Sequence, residues 1–290
     1  MDGREEGAPG WTVDRYGDAL LVQCFAPGGA SESDLGGLLR SIESLAGTTL
    51  SVYLKEARAG DPQRSSGRLL AGPAAPPIAG DLVKPRPGRM LVHEDGMRFG
   101  VDLCHGHNTG LFADARAMRR WVRRHSEGRR ILNLFSYTAA FGVAAGLGGA
   151  LSVENVDTVA SAVQRGRANY ALNGLAGDSR AHVRGEVFAF LKQGARRGLR
   201  WGGIIADPPP VATAGKRRGF RPARDQARLL QHIARCLAPG AWVLAMSGAY
   251  SDSAFDEHLR GASSDELRAD DDYPSGVVPG LKARVLYPLT

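Results

Sequence analysis

From Asp114 to its end the chain alternates short runs of aliphatic and β-branched residues with stretches whose apolar positions recur every three or four residues. The runs predict strands at Ile131–Phe135, Leu151–Val156, His182–Arg184, Gly203–Ala206 and Trp242–Met246. The spaced stretches predict helices at Asp114–His125, with Met118, Trp121 and Val122 on one face, and at Ala139–Leu147, Val159–Leu172, Val187–Ala195 and Arg221–Leu237. Pro239-Gly240 is expected to stop the last helix. Strand and helix in strict alternation spell a parallel sheet with helices on both faces. A final run, Ala283–Leu289, is expected to add an antiparallel strand.

The earlier part of the chain has another rhythm. Trp11 to Gln23 reads as two strands around a tight turn at Gly17-Asp18. Ser31–Leu45 places Leu35, Leu38, Leu39, Ile42 and Leu45 near helical spacing, with Ser33 as its cap. Thr48–Leu54 returns to strand residues. Between Ala57 and Gly88, Gly, Pro, Ser and Arg dominate, as in Pro73-Ala74-Ala75-Pro76-Pro77, which predicts a loop or weak β segment at a domain boundary. Met90–Val92 and Met97–Leu103 then read as paired strands around Glu94-Asp95-Gly96. The expected organisation is a smaller α+β domain over 1–88 and a Rossmann-like α/β domain over 89–290.

Composition narrows the class. The 290 residues are 43% hydrophobic and 23% charged, enough to build a substantial core and too apolar for a disordered chain. No run approaches the length of a membrane span, and Met1-Asp2-Gly3-Arg4-Glu5-Glu6 lacks signal-peptide order, so a cytoplasmic protein with no membrane partner is expected. Cys24, Cys104 and Cys236 are odd in number and far apart, which predicts buried, reduced thiols and neither a disulfide framework nor a metal site. His105 and His107 flank no standard ligand spacing.

Lys and Arg exceed Asp and Glu by 37 to 30, and the excess is concentrated. Arg116, Arg119, Arg120, Arg123, Arg124, Arg129 and Arg130 share one window; Lys216, Arg217, Arg218, Arg221 and Arg224 share another. Acids gather around Asp270-Asp271-Asp272. Such basic windows suit a polyanion, although a solvated face explains either one alone.

In an open α/β sheet, ligands bind beyond the carboxyl ends of the strands. The first turn there, Phe135-Ser136-Tyr137-Thr138-Ala139, lacks the GxGxxG of a dinucleotide site, which disfavours NAD. Asp157 ends the second strand, where a carboxylate can accept both ribose hydroxyls or simply cap the following helix. Glu186 ends the third and can accept from an adenine amino group. Asp207-Pro208-Pro209-Pro210 ends the fourth, giving a carboxylate beside carbonyls that no sheet partner claims, a corner suited to the amino or N–H edge of a planar substrate.

Six separated segments then carry a resemblance. They are Val13-Asp14-Arg15-Tyr16-Gly17-Asp18, His105 to Arg116, Leu132 to Thr138, Asn155-Val156-Asp157-Thr158, Asn169-Tyr170-Ala171-Leu172-Asn173 and Asp207-Pro208-Pro209. In this order they resemble the class I S-adenosylmethionine (SAM) dependent methyltransferases of the RlmI and RlmK type, which modify 23S ribosomal RNA. The resemblance runs from about Pro9 to the end. It implies SAM as cofactor, with Asp157 and Thr158 at the ribose, Glu186 and Val187 near the adenine, and Phe135, Ser136, Tyr137, Thr138 and Ala139 under the methionine moiety. It also implies that Thr109, Asp114 and Arg116 close over the cofactor, and that Asp207, with Pro208 and Pro209, receives the substrate base.

The chain departs from the pattern in several places. The PUA domain that precedes the hairpin in the family is not in this sequence. Ala139-Ala140 stands for the usual glycines, Glu186 for Asp, Pro210 for Lys, Ser or Thr, and Asn108 for Lys. Members that methylate carbon carry Ser-Cys-Ser after the fifth strand, whereas this chain has Ser247-Gly248-Ala249. Attack by nitrogen or oxygen needs only an aimed lone pair and a proton acceptor, so transfer to a nucleobase without a covalent cysteine intermediate is the expected chemistry. The alternatives are a methyltransferase of small molecules or proteins, and a SAM-binding module without catalysis. The sequence leaves the oligomeric state open.

Overall fold

A computed structural model of the protein describes residues 10–26, 29–46, 50–58, 61–80, 82–106, 108–175, 181–209, 220–246, 263–267 and 283–287. The expectations for Pro210, for Lys216, Arg217 and Arg218, for His107, for Ser247-Gly248-Ala249 and for Asp270-Asp271-Asp272 lie outside these residues. Chain contacts divide between Ala113 and Asp114. The composition break expected at residue 88 therefore falls inside the first unit, which also holds the hairpin that follows it.

In the first unit, β1 (Trp11–Tyr16) and β2 (Ala19–Cys24) pair antiparallel across Gly17-Asp18. Helix α1 (Glu32–Ala46) leads to β3 (Ser51–Arg58), parallel to β2, and β4 (Asp61–Ala71) pairs antiparallel with β3. Ser31, and not Ser33, starts α1: its hydroxyl accepts the Asp34 amide at 3.2 Å while the Asp34 carboxylate takes the Ser31 amide at 3.3 Å. Where loop or weak β was expected, β4 is a full strand, because pairing with β3 overrides the low strand propensity of its Pro, Ser and Gly. The hairpin of β5 (Arg89–Glu94) and β6 (Met97–Asp102) turns on Asp95 and Gly96, with φ of 49° and 77°, the mirror-image turn that matches strand twist.

The second unit begins with a 3-10 turn over Ala113–Ala115 and α2 (Arg116–Arg124). There follow β7 (Arg130–Leu134), α3 (Ala140–Leu147), β8 (Ser152–Asp157), α4 (Ala160–Leu172), β9 (His182–Arg184), α5 (Val187–Arg196), β10 (Trp201–Ala206), α6 (Pro222–Ala234) and β11 (Leu237–Met246). Then come β12 (Ser263–Leu267) and β13 (Ala283–Tyr287). Among the described residues they form one seven-stranded sheet, ordered β12-β13-β11-β10-β7-β8-β9. β13 is antiparallel to β11, and β12 to β13; the pairs from β11 through β9 are parallel.

Two expectations about this half need correction. Helix α6 ends at Ala234, and Pro239-Gly240 sits inside β11 at a register shift: Leu237 pairs with Trp201 and Trp242 with Gly203. Gly240 takes φ 66° there, so the breaker makes a bulge instead of ending a helix. β12, whose sequence Ser-Ser-Asp-Glu-Leu has no strand pattern, was not expected at all.

The core explains the sheet's all-apolar strands. Leu132, Leu134, Val156, Ile204, Ala206, Val243 and Ala245 are buried against Leu191, Leu229, Leu230 and Ile233 from α5 and α6. Burial of each large aliphatic side chain contributes roughly 1.5–3 kcal/mol.

Candidate functional site

The carboxyl edge of the parallel strands is stitched together by side chains that the hydrophobic pattern does not reveal. Asn133 and Asn155 lie inside β7 and β8 and are both buried. Asn133 donates to Asn155 at 2.9 Å, and Asn155 donates to the Tyr170 hydroxyl at 2.7 Å and to the Ala181 carbonyl at 2.9 Å. Gly142 of α3 faces this pair; a Cβ there would collide with Asn155 and lie 2.7 Å from the Tyr170 hydroxyl. The polar ladder sets β7, β8, α3 and α4 in one register. Neither asparagine, nor Asn169 or Tyr170, could be assigned a role from the sequence; the signal was a polar residue recurring at central positions of apolar strands.

The turn after β7 is held from both sides. Phe135, Tyr137 and Ala139 have φ of 56°, 48° and 58°, three non-glycine residues in the left-handed region within five positions. Each such residue is strained, and such clusters persist where surrounding bonds over-determine them. Here the Ser136 amide donates to the Val156 carbonyl at 3.0 Å, the Tyr137 amide to Asp157 Oδ2 at 2.8 Å, and Asn169 Nδ2 to the Thr138 carbonyl at 2.9 Å. Arg165 of α4 lies over the Tyr137 ring, 5.9 Å from its centroid. Ser136, Thr138 and Ala139 are buried, so backbone is what they offer a ligand.

Asp157 is half-buried, and its second oxygen accepts the Val159 amide at 2.8 Å. Each carboxylate oxygen thus takes one backbone N–H and keeps a lone-pair direction, which fits a group with vicinal hydroxyls. Thr158 beside it is exposed. Glu186 is exposed as well and caps α5, accepting from Phe188 at 3.0 Å and Ala189 at 2.8 Å. Val187 packs in the core with Val156 and Leu134. Phe188 in turn packs with Phe220, ring centroids 6.4 Å apart, and Phe220 with Phe135 at 5.2 Å, an aromatic cluster at the same edge that sequence reasoning missed.

At the end of β10, Pro208 is buried, Pro209 exposed and Asp207 between them in accessibility. The Asp207 pKa is raised to about 7, chiefly by burial, with the neighbouring Asp114 carboxylate adding to the rise and Arg119 opposing it. Burial also raises Asp114, opposed by Arg119 and by backbone N–H groups. Arg119 is only 1% exposed, with its guanidinium 6.0 Å from the Phe141 ring centroid. It therefore leaves the basic window that was expected to lie on the surface and sets a buried cation beside the half-buried Asp114 and Asp207. Arg116 is half-buried on α2 next to them in sequence. Thr109 belongs to the first unit, where its hydroxyl shares a 3.0 Å hydrogen bond with Tyr16 and donates to the Leu111 carbonyl.

All three cysteines are buried. Burial raises the thiol pKa of Cys104 and of Cys236, which disfavours thiolate at either. His105 Nδ1 donates to Asp102 at 3.1 Å, and Asp102 also pairs with Arg86 at 2.8 Å. Among the described residues no cluster of His, Cys, Asp and Glu could hold a metal ion, and no helix is long and apolar enough to cross a membrane.

A seven-stranded sheet in this order, with its antiparallel β13 and an acid at the end of each of β8 and β10, is the fold of class I methyltransferases. Residues 69–268 match the family model of S-adenosylmethionine-dependent methyltransferases, and the chain belongs to that family. It is 35% identical over 207 residues to ribosomal RNA large subunit methyltransferase I of Escherichia coli, an alignment covering 71% of this chain and 50% of that protein. The chain thus spans about half the length of the curated relatives it matches. Its fold is similar to a candidate SAM-dependent methyltransferase from Streptococcus mutans, with TM-score 0.76, 24% identity, and coverage of 99% of this chain and 73% of that one. It is equally similar to a candidate methyltransferase solved with SAH bound, with TM-score 0.75, 24% identity, and coverage of 99% and 74%.

Proposed function

We propose that this chain is a methyltransferase that moves a methyl group from SAM to a nucleobase nitrogen of large-subunit ribosomal RNA, without a cysteine adduct. The observation that carries the reading is Asp207, a carboxyl group held near neutrality at the end of β10 beside the carbonyls of a proline corner. The Escherichia coli relative, a ribosomal RNA large subunit methyltransferase by name, supports the RNA class.

Asp157 and Thr158 would hold the ribose of the cofactor, Glu186 and Val187 would lie at its adenine, and the backbone of Phe135 to Ala139 at its methionine end, with Asp114 and Arg116 completing the set. When bound, SAM supplies an electrophilic methyl group. Asp207, with the Pro208 and Pro209 carbonyls, accepts hydrogen bonds from an amino or ring N–H, which aims the nitrogen lone pair and fixes the base in plane. With a pKa of about 7, Asp207 is part ionised at neutral pH and receives the proton that the nitrogen sheds on alkylation. Arg119 opposes the rise that burial and Asp114 impose on Asp207, so it sets how far that carboxyl is ionised near neutral pH.

The test is mass spectrometry of ribosomal RNA from cells with and without the gene, followed by incubation of the unmodified RNA with purified protein and SAM. One methyl group lost in the first and restored at the same nucleotide in the second is the expected result. Undisturbed ribosomal RNA, with methyl transfer to a small molecule or protein, overturns the substrate assignment.

A further inference from the structure

The parallel order β11-β10-β7 sets side by side the three chain segments that lead into these strands, at the edge of the sheet opposite Asp157 and Asp207. Residues 123–130, 195–200 and 234–236 make up those segments, and they carry Arg123, Arg124, Arg129, Arg130, Arg196, Arg197, Arg200 and Arg235 against a single acid, Glu127. Arg129 ties them together, donating to the Gly202 carbonyl at 3.2 Å and the Gly240 carbonyl at 3.0 Å. Arg130 leans on Trp201 and reaches Glu154 of β8 at 3.8 Å. Arg124, Arg196, Arg197, Arg200 and Arg235 are exposed, and none of them pairs with an acid among the described residues.

Helix ends alone do not account for this surplus. A helix C-terminus favours a nearby cation, and α2 and α5 end here with arginines in their last turns. Yet α3 and α4 end at the same edge, under β8 and β9, with no basic residue in their last turns. Among the described residues the charge gathers under three adjacent strands and is missing from the last turns of α3 and α4 beside them, which is a patch and not a rule of helix termination.

We propose that this arginine platform grips the phosphate backbone of folded RNA, as an anchor separate from the edge that receives the target base; the inference rests on the RNA reading above. Guanidinium groups take phosphate oxygens in pairs, and five that no acid among the described residues neutralises, spread over three adjoining segments, are matched by a polyanion. Strands of five and six residues at about 3.3 Å per residue separate the two edges by roughly 15–20 Å. The two sites face opposite ends of the sheet, so an RNA that reaches both must run around the domain, which favours a folded RNA over a short single strand.

The variant Arg196→Gln, Arg197→Gln, Arg200→Gln, Arg235→Gln leaves the cofactor edge untouched. Its binding to deproteinised large-subunit rRNA is measured across a salt series, with SAM affinity, thermal midpoint and methylation kinetics beside it. The expected result is a KM for rRNA raised about tenfold or more, a slope of log affinity against log salt flattened by about 3, and unchanged kcat, SAM affinity and midpoint. The matching four-lysine variant keeps the steep slope. A wild-type protein that binds rRNA steeply and a glutamine variant that does the same overturn the platform and leave the RNA reading standing. A wild-type protein that neither binds nor methylates rRNA at low salt overturns both. Loss of binding to phosphatidylglycerol vesicles, with rRNA held as before, makes the patch a membrane face and also overturns the inference.

Discussion

The backbone amide of Tyr137 donates to Oδ2 of Asp157 at 2.8 Å, so the acid at the end of β8 fixes the turn at the end of β7. Its other oxygen fixes the entrance to α4 through Val159. One side chain thereby fixes two neighbouring turns at the carboxyl edge of the sheet.

Asp157→Ala is expected to lower SAM affinity about 10- to 100-fold, the loss of charged hydrogen bonds worth roughly 1.5–3 kcal/mol. Calorimetric titration checks it, with circular dichroism to confirm the fold. Unchanged affinity in a folded variant removes Asp157 from the site.

Ala139 sits at φ 58°, where the family's glycine has no steric cost, and its Cβ faces Gly166 of α4 at the 3.1 Å that a second Cβ would meet. Relief of about 1–2 kcal/mol of left-handed strain is offset by lost methyl burial and by glycine's backbone entropy, so Ala139→Gly is expected to change stability by less than about 1 kcal/mol. Ala139→Val, branched in a left-handed and crowded position, is expected to cost about 2 kcal/mol or more. Denaturant midpoints of the two variants decide it; equal costs mean that the backbone there is not left-handed.

The parallel half of the fold was legible because its strands are short and uniformly apolar and its helices are punctuated. The acids at Asp157, Glu186 and Asp207 were legible because the alternation fixes which residues follow each strand. Burial of a charge was not. Arg119 shares a window with six other arginines, and only the partners brought to it by β10 and the 3-10 turn draw it inside. Similarly, Arg129 precedes β7 and Arg130 begins it, which puts them at the edge away from Asp207. β4 and β12 were missed for the reason common to weak strands, that neighbours and not propensity hold them.

The thiols are expected to be dispensable for transfer. Cys24 ends β2 in the first unit, and Cys236 precedes β11 with Sγ 3.6 Å from the Leu191 carbonyl, at the sheet edge opposite Asp207. The variant Cys24→Ala, Cys104→Ala, Cys236→Ala should lose stability through small cavities and still turn over per folded molecule. A covalent protein–RNA adduct trapped with wild type and absent from this variant would be the contrary result.

Asp207 is expected to give the activity and the stability opposite responses to pH. Its folded pKa of about 7 lies above the ordinary carboxylate value of 3.8, so the fold favours the protonated form. The stability linked to that proton is present in full below pH 3.8 and is lost as pH rises through 7, a change of about 2–4 kcal/mol. Asp207→Asn, neutral at every pH, should therefore be the more stable protein above pH 7, with the advantage fading below pH 4. Methyl transfer by the wild type should rise through an inflection near pH 7 as Asp207 becomes able to take a proton, while the variant should be slow with no inflection there. Arg119→Gln should move the wild-type inflection upward, since Arg119 lowers the Asp207 pKa. Thermal midpoints and single-turnover rates measured across this range test the two responses together. Parallel pH dependence of midpoint in wild type and Asp207→Asn would mean that the carboxyl ionises freely in the fold and cannot be the group that holds the proton.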